Sequence, residues 1–287
     1  MITVTPKEAQ HLDEFRALIE QRSGIRFDSS RERFFSTRVR EHIQAKGLAT
    51  GAELMSLVRS SNVEYEAFLQ RLLTHETSFF RYPCAFEALK KRVLPEIHAK
   101  KFWASPRSLR IWSAGCSTGE EPYSISITVA ESQLFATEWN VEILATDVSR
   151  QAIARATQAH YPRRALSCLS PQQIEAHFNS AGSLLEVKSA IRNRVSFVLM
   201  NLVQCLYMGR MDCIFCMNVM IYFSPVGREQ LIQCFYDCLE PGGYLMLGHS
   251  ESLGNIPVKF EKIVYGDFMM YRKPGGENGA SPLRSQS

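Results

Sequence analysis

The sequence predicts an α/β protein in two parts: a small all-helical N-terminal domain, then a Rossmann-like, doubly wound domain built on a mostly parallel sheet. Three observations predict it. Hydroxyl-x-x-Glu boxes punctuate the first eighty residues, the hydrophobic period changes after about Lys101, and the short apolar runs beyond that point alternate with helical stretches. A chain of 287 residues, 45% of them hydrophobic, is long enough for two cores.

The boxes are Thr5-Pro6-Lys7-Glu8, Ser29-Ser30-Arg31-Glu32, Thr50-Gly51-Ala52-Glu53 and Ser61-Asn62-Val63-Glu64. Each puts a hydroxyl at a helix N-cap and a carboxylate three residues later, so that each side chain satisfies an orphan backbone N–H. Behind them apolar residues recur at helical spacing: Leu12, Phe15, Leu18 and Ile19; Phe35, Val39 and Ile43; Leu54, Leu57 and Val58; Phe68, Leu69 and Leu72. Gly24 and Gly47 sit where helices should stop. These features define a helical domain over 1–80.

A linking helix carries the chain to about Lys101. Strands follow as apolar runs bounded by Gly, Pro, Asp or Asn: LRIW (109–112), VEILATD (141–147), RVSFVLMNL (194–202), DCIFCMNVMIYF (212–223), GYLMLG (243–248) and FMMYRK (268–273). Helices are expected over 123–133, 151–159 and 225–239. The second domain therefore spans 81–274, and 275–287, rich in Gly, Ser, Asn and Pro, is expected to be a disordered tail.

Composition excludes several classes. Thirty-three basic and 29 acidic side chains leave a net charge of only +4, so nucleic acid is not an expected partner. MITVTPKEAQ has no basic-then-apolar signal pattern, and the most apolar run, Cys213 to Phe223, is interrupted by Asn218 and falls short of the roughly 20 residues of a spanning helix. A soluble, cytoplasmic protein without membrane insertion is expected. The eight cysteines lie mostly in apolar segments without a tight framework of spacings, which points to reduced, buried thiols. Cys213-x-x-Cys216 lies in a strand, where residues three apart face opposite ways, so no metal site is expected there. Cys234 and Cys238 share a helix face and read as core.

The chemistry concentrates in SAGCSTGEEP (113–122). Gly115-Cys116-Ser117-Thr118-Gly119 fits the G-x-S-x-G elbow of serine hydrolases, with Asp212 and His249 as formal partners. Against that reading, everything before Leu109 is helical, leaving no earlier strand to donate an oxyanion N–H, and Glu120 and Glu121 would set negative charge beside a developing oxyanion. A cofactor cradle fits better: a strand, a glycine turn and a helix N-terminus bring backbone N–H groups close to a ligand. Carboxylates there disfavour a pyrophosphate and favour an ammonium. Asp147, ending the next strand, stands where a carboxylate accepts ribose hydroxyls. S-adenosylmethionine has this combination of aminoacyl head, ribose and adenine. An ordinary βα turn with solvated carboxylates is the plain alternative.

Several long stretches, in order, go further: THETSFFRYP (74–83), WSAGCSTGEEPYSI (112–125), ILATDVSRQAIARA (143–156) and IFCMNVMIYF (214–223), followed by GHSESL (248–253). Together they resemble the chemotaxis receptor glutamate methyltransferases, the CheR family, over nearly the whole chain up to about Lys273. The resemblance implies methylation of chemoreceptor glutamates with S-adenosyl-L-methionine, giving γ-methyl esters and S-adenosyl-L-homocysteine. It places Thr77 and Arg81 at the methionyl end of the cofactor, with Arg81 on its carboxylate and Glu121 on its ammonium, and counts His75 among the cofactor contacts. It gives Asp147 the ribose, sets Asn201 and Leu202 beside the adenine, closes the pocket wall with Asn218 and Val219, and brings the Tyr222 hydroxyl near the transferred methyl. Arg81 and Tyr222 are thus the expected catalytic pair.

The chain departs from the family at His75, where Asn is common, and at Met217, where Arg is common. His249, in the GHSE stretch, has no expected catalytic role. Between Arg22 and Lys46, Arg22, Arg26, Arg31, Arg33, Arg38, Arg40 and Lys46 face only Asp28, Glu32 and Glu41, an excess suited either to docking an acidic, Glu-rich receptor helix or to a solvated helix face. In the family a small inserted β subdomain, here within about 178–197, can grip a pentapeptide at the receptor C-terminus. Its loop, NSAGSLLE, is short, so no such tether is expected to be needed; the protein is also expected to be a monomer. A SAM-binding signalling protein without turnover and a small-molecule methyltransferase are the alternatives.

Overall fold

The computed structural model describes residues 6–27, 31–73, 76–204 and 207–275. Thr5, Ser29, His75 and the tail from 276 lie outside the described residues. Four helices open the chain: α1 (Pro6–Ser23), α2 (Glu32–Ala45), α3 (Gly51–Ser60) and α4 (Asn62–Leu72). Their apolar stripes close on one another, burying Phe15, Ile19, Phe35, Leu54, Val58 and Phe68, as the helical spacing predicts. The Thr50 and Ser61 hydroxyls cap α3 and α4 by accepting from the N–H groups of Glu53 and Glu64 at 3.2 and 3.3 Å. The return arms of both boxes go elsewhere: Glu53 accepts from the Ala49 N–H, and Glu64 pairs with Lys46. A complete box forms instead at Ser170 and Gln173, where the hydroxyl-x-x-Glu pattern could not point to it.

The chain then runs through α5 (Pro83–Ala88), a π turn and α6 (Leu94–Lys101) into the second domain. Its strands and helices are β1 (Ser108–Ala114), α7 (Glu120–Ser132), β2 (Asn140–Asp147), α8 (Arg150–Gln158), β3 (His160–Pro162), α9 (Pro171–His177), β4 (Phe178–Ala181), β5 (Leu184–Val187), α10 (Ser189–Arg192), β6 (Val195–Leu199), β7 (Met211–Cys216), α11 (Pro225–Cys238), β8 (Leu239–Leu247), β9 (Glu261–Tyr265) and β10 (Phe268–Arg272). Among the described residues seven strands form one sheet in the order β6-β2-β1-β7-β8-β10-β9, in which β10 runs antiparallel to both β8 and β9 and every other pair is parallel. Alternate residues of β7 feed opposite faces. Cys213 and Phe215 pack with Leu89 and Ile125 on one side, and Ile214 and Cys216 with Phe235 of α11 on the other, so Cys213 and Cys216 do point apart.

β3, β5 and β4 make a separate three-stranded antiparallel sheet. It begins earlier than the 178–197 segment, because His160–Pro162 pairs with Leu184–Glu186, and Val195–Leu199 is instead an edge strand of the large sheet. The apolar run 212–223 is strand only to Cys216. Cys84, Cys116, Cys168, Cys213, Cys216 and Cys238 are free thiols, but Cys168 is exposed, and Cys234 is disulfide-bonded, which corrects the expectation of buried, reduced thiols throughout. No helix among the described residues is long and apolar enough to cross a membrane.

Candidate functional site

Strand order reverses between β2 and β7 on either side of β1, and ligands of open α/β sheets bind beyond the C-terminal strand ends at such a point. There a cleft of about 310 Å³ opens, lined by the ends of β1, β2 and β7 and by Ser23, Ile25 and Arg31 of the helical domain. Its floor is the glycine turn. The N–H groups of Gly115 and Cys116 both donate to the Thr146 carbonyl at 2.8 and 2.9 Å, fastening the turn to β2. Gly115 has φ +85°, and a Cβ there would lie 2.4 Å from the Val219 side chain, so only glycine lets the opposite wall approach this closely. Ser117, at φ +49°, donates its N–H to Asp147 Oδ2 at 2.8 Å, and the Ser149 N–H reaches Oδ1 at 2.9 Å. Asp147 is thereby locked at the cleft by two backbone N–H groups.

Glu121 stands one residue into α7, behind the turn. Part of its surface opens on the cleft, yet the carboxyl lies deep in the protein, and burial pushes its pKa up to about 7. The Ser113 hydroxyl, donating at 2.7 Å, opposes the rise, the Glu251 carboxylate adds to it, and the Arg81 guanidinium opposes it. A carboxylate that is costly to ionise on its own becomes favourable to ionise beside a cation. Neighbouring Glu120 is also raised by burial, but Thr118 holds it at 2.7 Å, outside the cleft lining.

Asn201 and Leu202 follow β6 and line the far side. The Asn201 amide is already committed: its Nδ2 donates to the Arg22 carbonyl at 2.8 Å and its Oδ1 accepts from the Val203 N–H at 3.1 Å, so it clamps the helical domain onto the cleft. A second clamp is the Arg26 N–H on the Tyr222 carbonyl at 2.7 Å, beside an antiparallel bridge between Ile25 and Phe223. Asn218 and Val219 form the wall after β7, with Asn218 in the left-handed region at φ +61° and its Oδ1 accepting from the Tyr82 hydroxyl at 2.7 Å. Tyr222 also lines the cleft, and the Arg31 guanidinium sits 4.8 Å from its ring centroid.

Thr77 and Arg81 complete the mouth. Arg81 is exposed, donates to the Glu76 carbonyl at 2.5 Å and makes no ion pair with the described residues. Met217 is buried and packs with Phe86 beneath the wall. Nine of the ten sequence-predicted residues thus converge on one cleft, and His75 lies outside the described residues. The hydrolase elbow does not assemble. Asp212 is the second residue of β7, at the opposite end of the sheet, paired with Lys101 at 2.6 Å, while Ser117 follows the C-terminal end of β1.

The donor set fits an aminoacyl nucleoside: a carboxylate for an ammonium, an exposed guanidinium for a carboxylate, a second carboxylate for ribose hydroxyls, and a turn without space for a Cβ. Tyr82, inside THETSFFRYP, and Arg31, inside the basic stretch, also line the cleft, and no local signal in the sequence places either of them there. Among the described residues no cluster of His, Cys, Asp or Glu could hold a metal ion.

Residues 75–267 match a family model described as CheR methyltransferase, SAM binding domain, and residues 10–73 match one described as CheR methyltransferase, all-alpha domain. Chemotaxis protein methyltransferase 1 of Pseudomonas aeruginosa is 34% identical over 90% of this chain and 96% of its own length. A chemotaxis protein methyltransferase of Vibrio parahaemolyticus is 33% identical over 95% of this chain and 99% of its own length. That of Salmonella typhimurium is 34% identical over 87% of this chain and 86% of its own.

Proposed function

This chain belongs to the CheR methyltransferase family and uses S-adenosylmethionine in chemotaxis, and from that premise we propose that it methylates the γ-carboxylates of chemoreceptor glutamates in the cytoplasm. The observation that carries the proposal is the pairing of Glu121 and Asp147 on the cleft floor with Arg81 and Tyr222 at its mouth. The cofactor supplies an electrophilic methyl on a sulfonium. The chain's residues bind, orient and exclude water. Glu121 takes the ammonium, Asp147 the ribose hydroxyls, Arg81 the cofactor carboxylate, and Leu202 with Val219 the apolar ring.

No general base is needed. A glutamate with a reference pKa of about 4.3 is already an anionic nucleophile near neutral pH, so its oxygen lone pair would take the sulfonium methyl with no proton to remove first. What the site must contribute is in-line alignment in a dry cleft. Tyr222 is placed to orient the incoming carboxylate, with Arg31 beside it as a cation at the mouth. Arg81 is better used on the cofactor, because a bidentate grip on the substrate would blunt its nucleophilicity.

For docking, the basic stretch from Arg22 to Lys46 divides in two. Arg22 bonds Asn62 and stacks on Tyr65, Arg38 pairs with Glu41, and Lys46 pairs with Glu64. Arg26, Arg31, Arg33 and Arg40 make no ion pair with the described residues and remain for an acidic receptor helix. The four-residue strands of the small sheet, β4 and β5, and their short connection support a protein that works without a C-terminal pentapeptide tether.

Incubation with tritiated S-adenosylmethionine and receptor-bearing membranes, followed by mild base, tests the reaction. Volatile, methanol-borne label that disappears in Arg81→Ala is expected. Cofactor binding without volatile label on any receptor would leave a sensor rather than an esterifying enzyme.

A further inference from the structure

We infer that Glu251 is a positioning residue for the cleft, holding the Asn218–Val219 wall from behind through three backbone N–H groups. The Asn218 and Gly248 N–H groups donate to its Oε2 at 2.7 and 3.0 Å, and the Val219 N–H donates to its Oε1 at 3.0 Å. Only 6% of the residue is exposed. Left-handed Asn218 followed by right-handed Val219 forms a concave nest of successive N–H groups, a shape that binds anions, and here the chain fills it with its own carboxylate. The glycine before it permits this: a Cβ on Gly248 would lie 2.8 Å from Glu251 Oε2 and 3.1 Å from the Asn218 nitrogen.

The nest bears on the cleft in two ways. It fixes the Asn218 amide as acceptor for Tyr82, and it presses Val219 against the space above Gly115. A third effect is electrostatic, and it rests on the proposal that Glu121 takes the cofactor ammonium. After burial, Glu251 is the main influence that keeps Glu121 protonated to higher pH. The groups facing Glu121 are Ser113 on β1, Cys116 on the turn, Cys213 and Cys216 on β7, Arg81 at the mouth and Glu251. Binding an ammonium below about pH 7 must therefore displace a proton from Glu121.

The test is calorimetric titration with S-adenosylhomocysteine between pH 5.5 and 8.5, with amide hydrogen exchange on the same protein without ligand. Unmodified protein should bind about tenfold more weakly at pH 6 than at pH 8. In Glu251→Gln the midpoint should move to lower pH and affinity at pH 8 should fall about tenfold. The Asn218, Val219 and Gly248 amides should exchange faster while those of β7 keep their protection. The same titrations in a His249→Gln background remove the imidazole that stacks on Tyr82. An unmoved midpoint with unchanged exchange at the three amides overturns the inference, as does loss of protection throughout β7, which would make Glu251 a general structural residue. A pH-independent affinity in the unmodified protein instead overturns the role of Glu121, and the three amides still decide that of Glu251.

Discussion

His42 in the helical domain and Glu121 beneath the cleft are both pushed toward their neutral forms by burial, and they differ in what they face. His42 is 1% exposed at the end of α2, its ring centroid 5.2 Å from that of Phe68, and neither ring nitrogen has a hydrogen-bond partner among the described residues. Burial, then the Arg71 and Lys46 cations, lowers its pKa to about 4, against a smaller opposing effect of Glu64. Glu121 has a hydroxyl donor behind it and an opening in front. The closed core can only exclude charge, whereas the cleft holds a charge in reserve for a ligand that supplies the opposite one. Burial alone marks structure; burial beside an opening marks a site.

The sharpest way to break that contrast is Glu121→Gln. Glutamine copies the shape of the protonated acid and keeps a partner for Ser113, so the melting temperature of the ligand-free protein should hardly change. The ammonium loses its counter-charge. Affinity for S-adenosylhomocysteine should fall about 100-fold, or about 2.7 kcal/mol, as read by calorimetry at pH 8. A fall below threefold would remove Glu121 from the cofactor site.

The counterpart in the helical domain is pH-dependent stability. A base whose folded pKa lies below its unfolded value contributes stability that is fully present above about 6.5 and is lost as pH falls through about 4. Between pH 7 and pH 5 the loss should be about 2 kcal/mol. His42→Leu should remove that part of the acid sensitivity in urea denaturation followed by circular dichroism. Affinity for S-adenosylhomocysteine at pH 7 should be unmoved, because His42 itself does not line the cleft.

The same contrast decides how much was legible in the sequence. Helical spacing exposed the first core because Phe15, Ile19, Phe35 and Phe68 carry a local period. Glu121 and Asp147 were legible because strand, turn and helix place them by short-range rules. The run 212–223 misled, because its apolar residues suit a strand, while Asn218 turns left-handed at a nest whose carboxylate arrives 33 residues later. β3 and β9 escaped for a different reason: HYP is three residues long and EKIVY is half-exposed at a sheet edge, so neither shows a clean alternation. The proton affinity of Glu121 was not readable at all, since Ser113 and Glu251 act on it only once the chain is folded.

The smallest expected effect separates fold from site most cleanly. Ser61 caps α4 by accepting from the Glu64 N–H at 3.3 Å, and the Glu64 carboxylate turns to Lys46 instead of completing a reciprocal box. Ser61→Ala therefore removes one capping bond and leaves the ion pair. The cost should be about 1 kcal/mol of stability, seen as a lower urea midpoint. Leu73, directly after α4, lines the cleft, and Gln70 of α4 accepts from the Ser149 hydroxyl beside Asp147. If the helical domain serves chiefly as a docking platform, affinity for S-adenosylhomocysteine should stay within twofold of the unmodified value. A larger drop would mean that fraying of α4 reaches the cofactor through Leu73, and that the two domains share one cooperative unit at this seam.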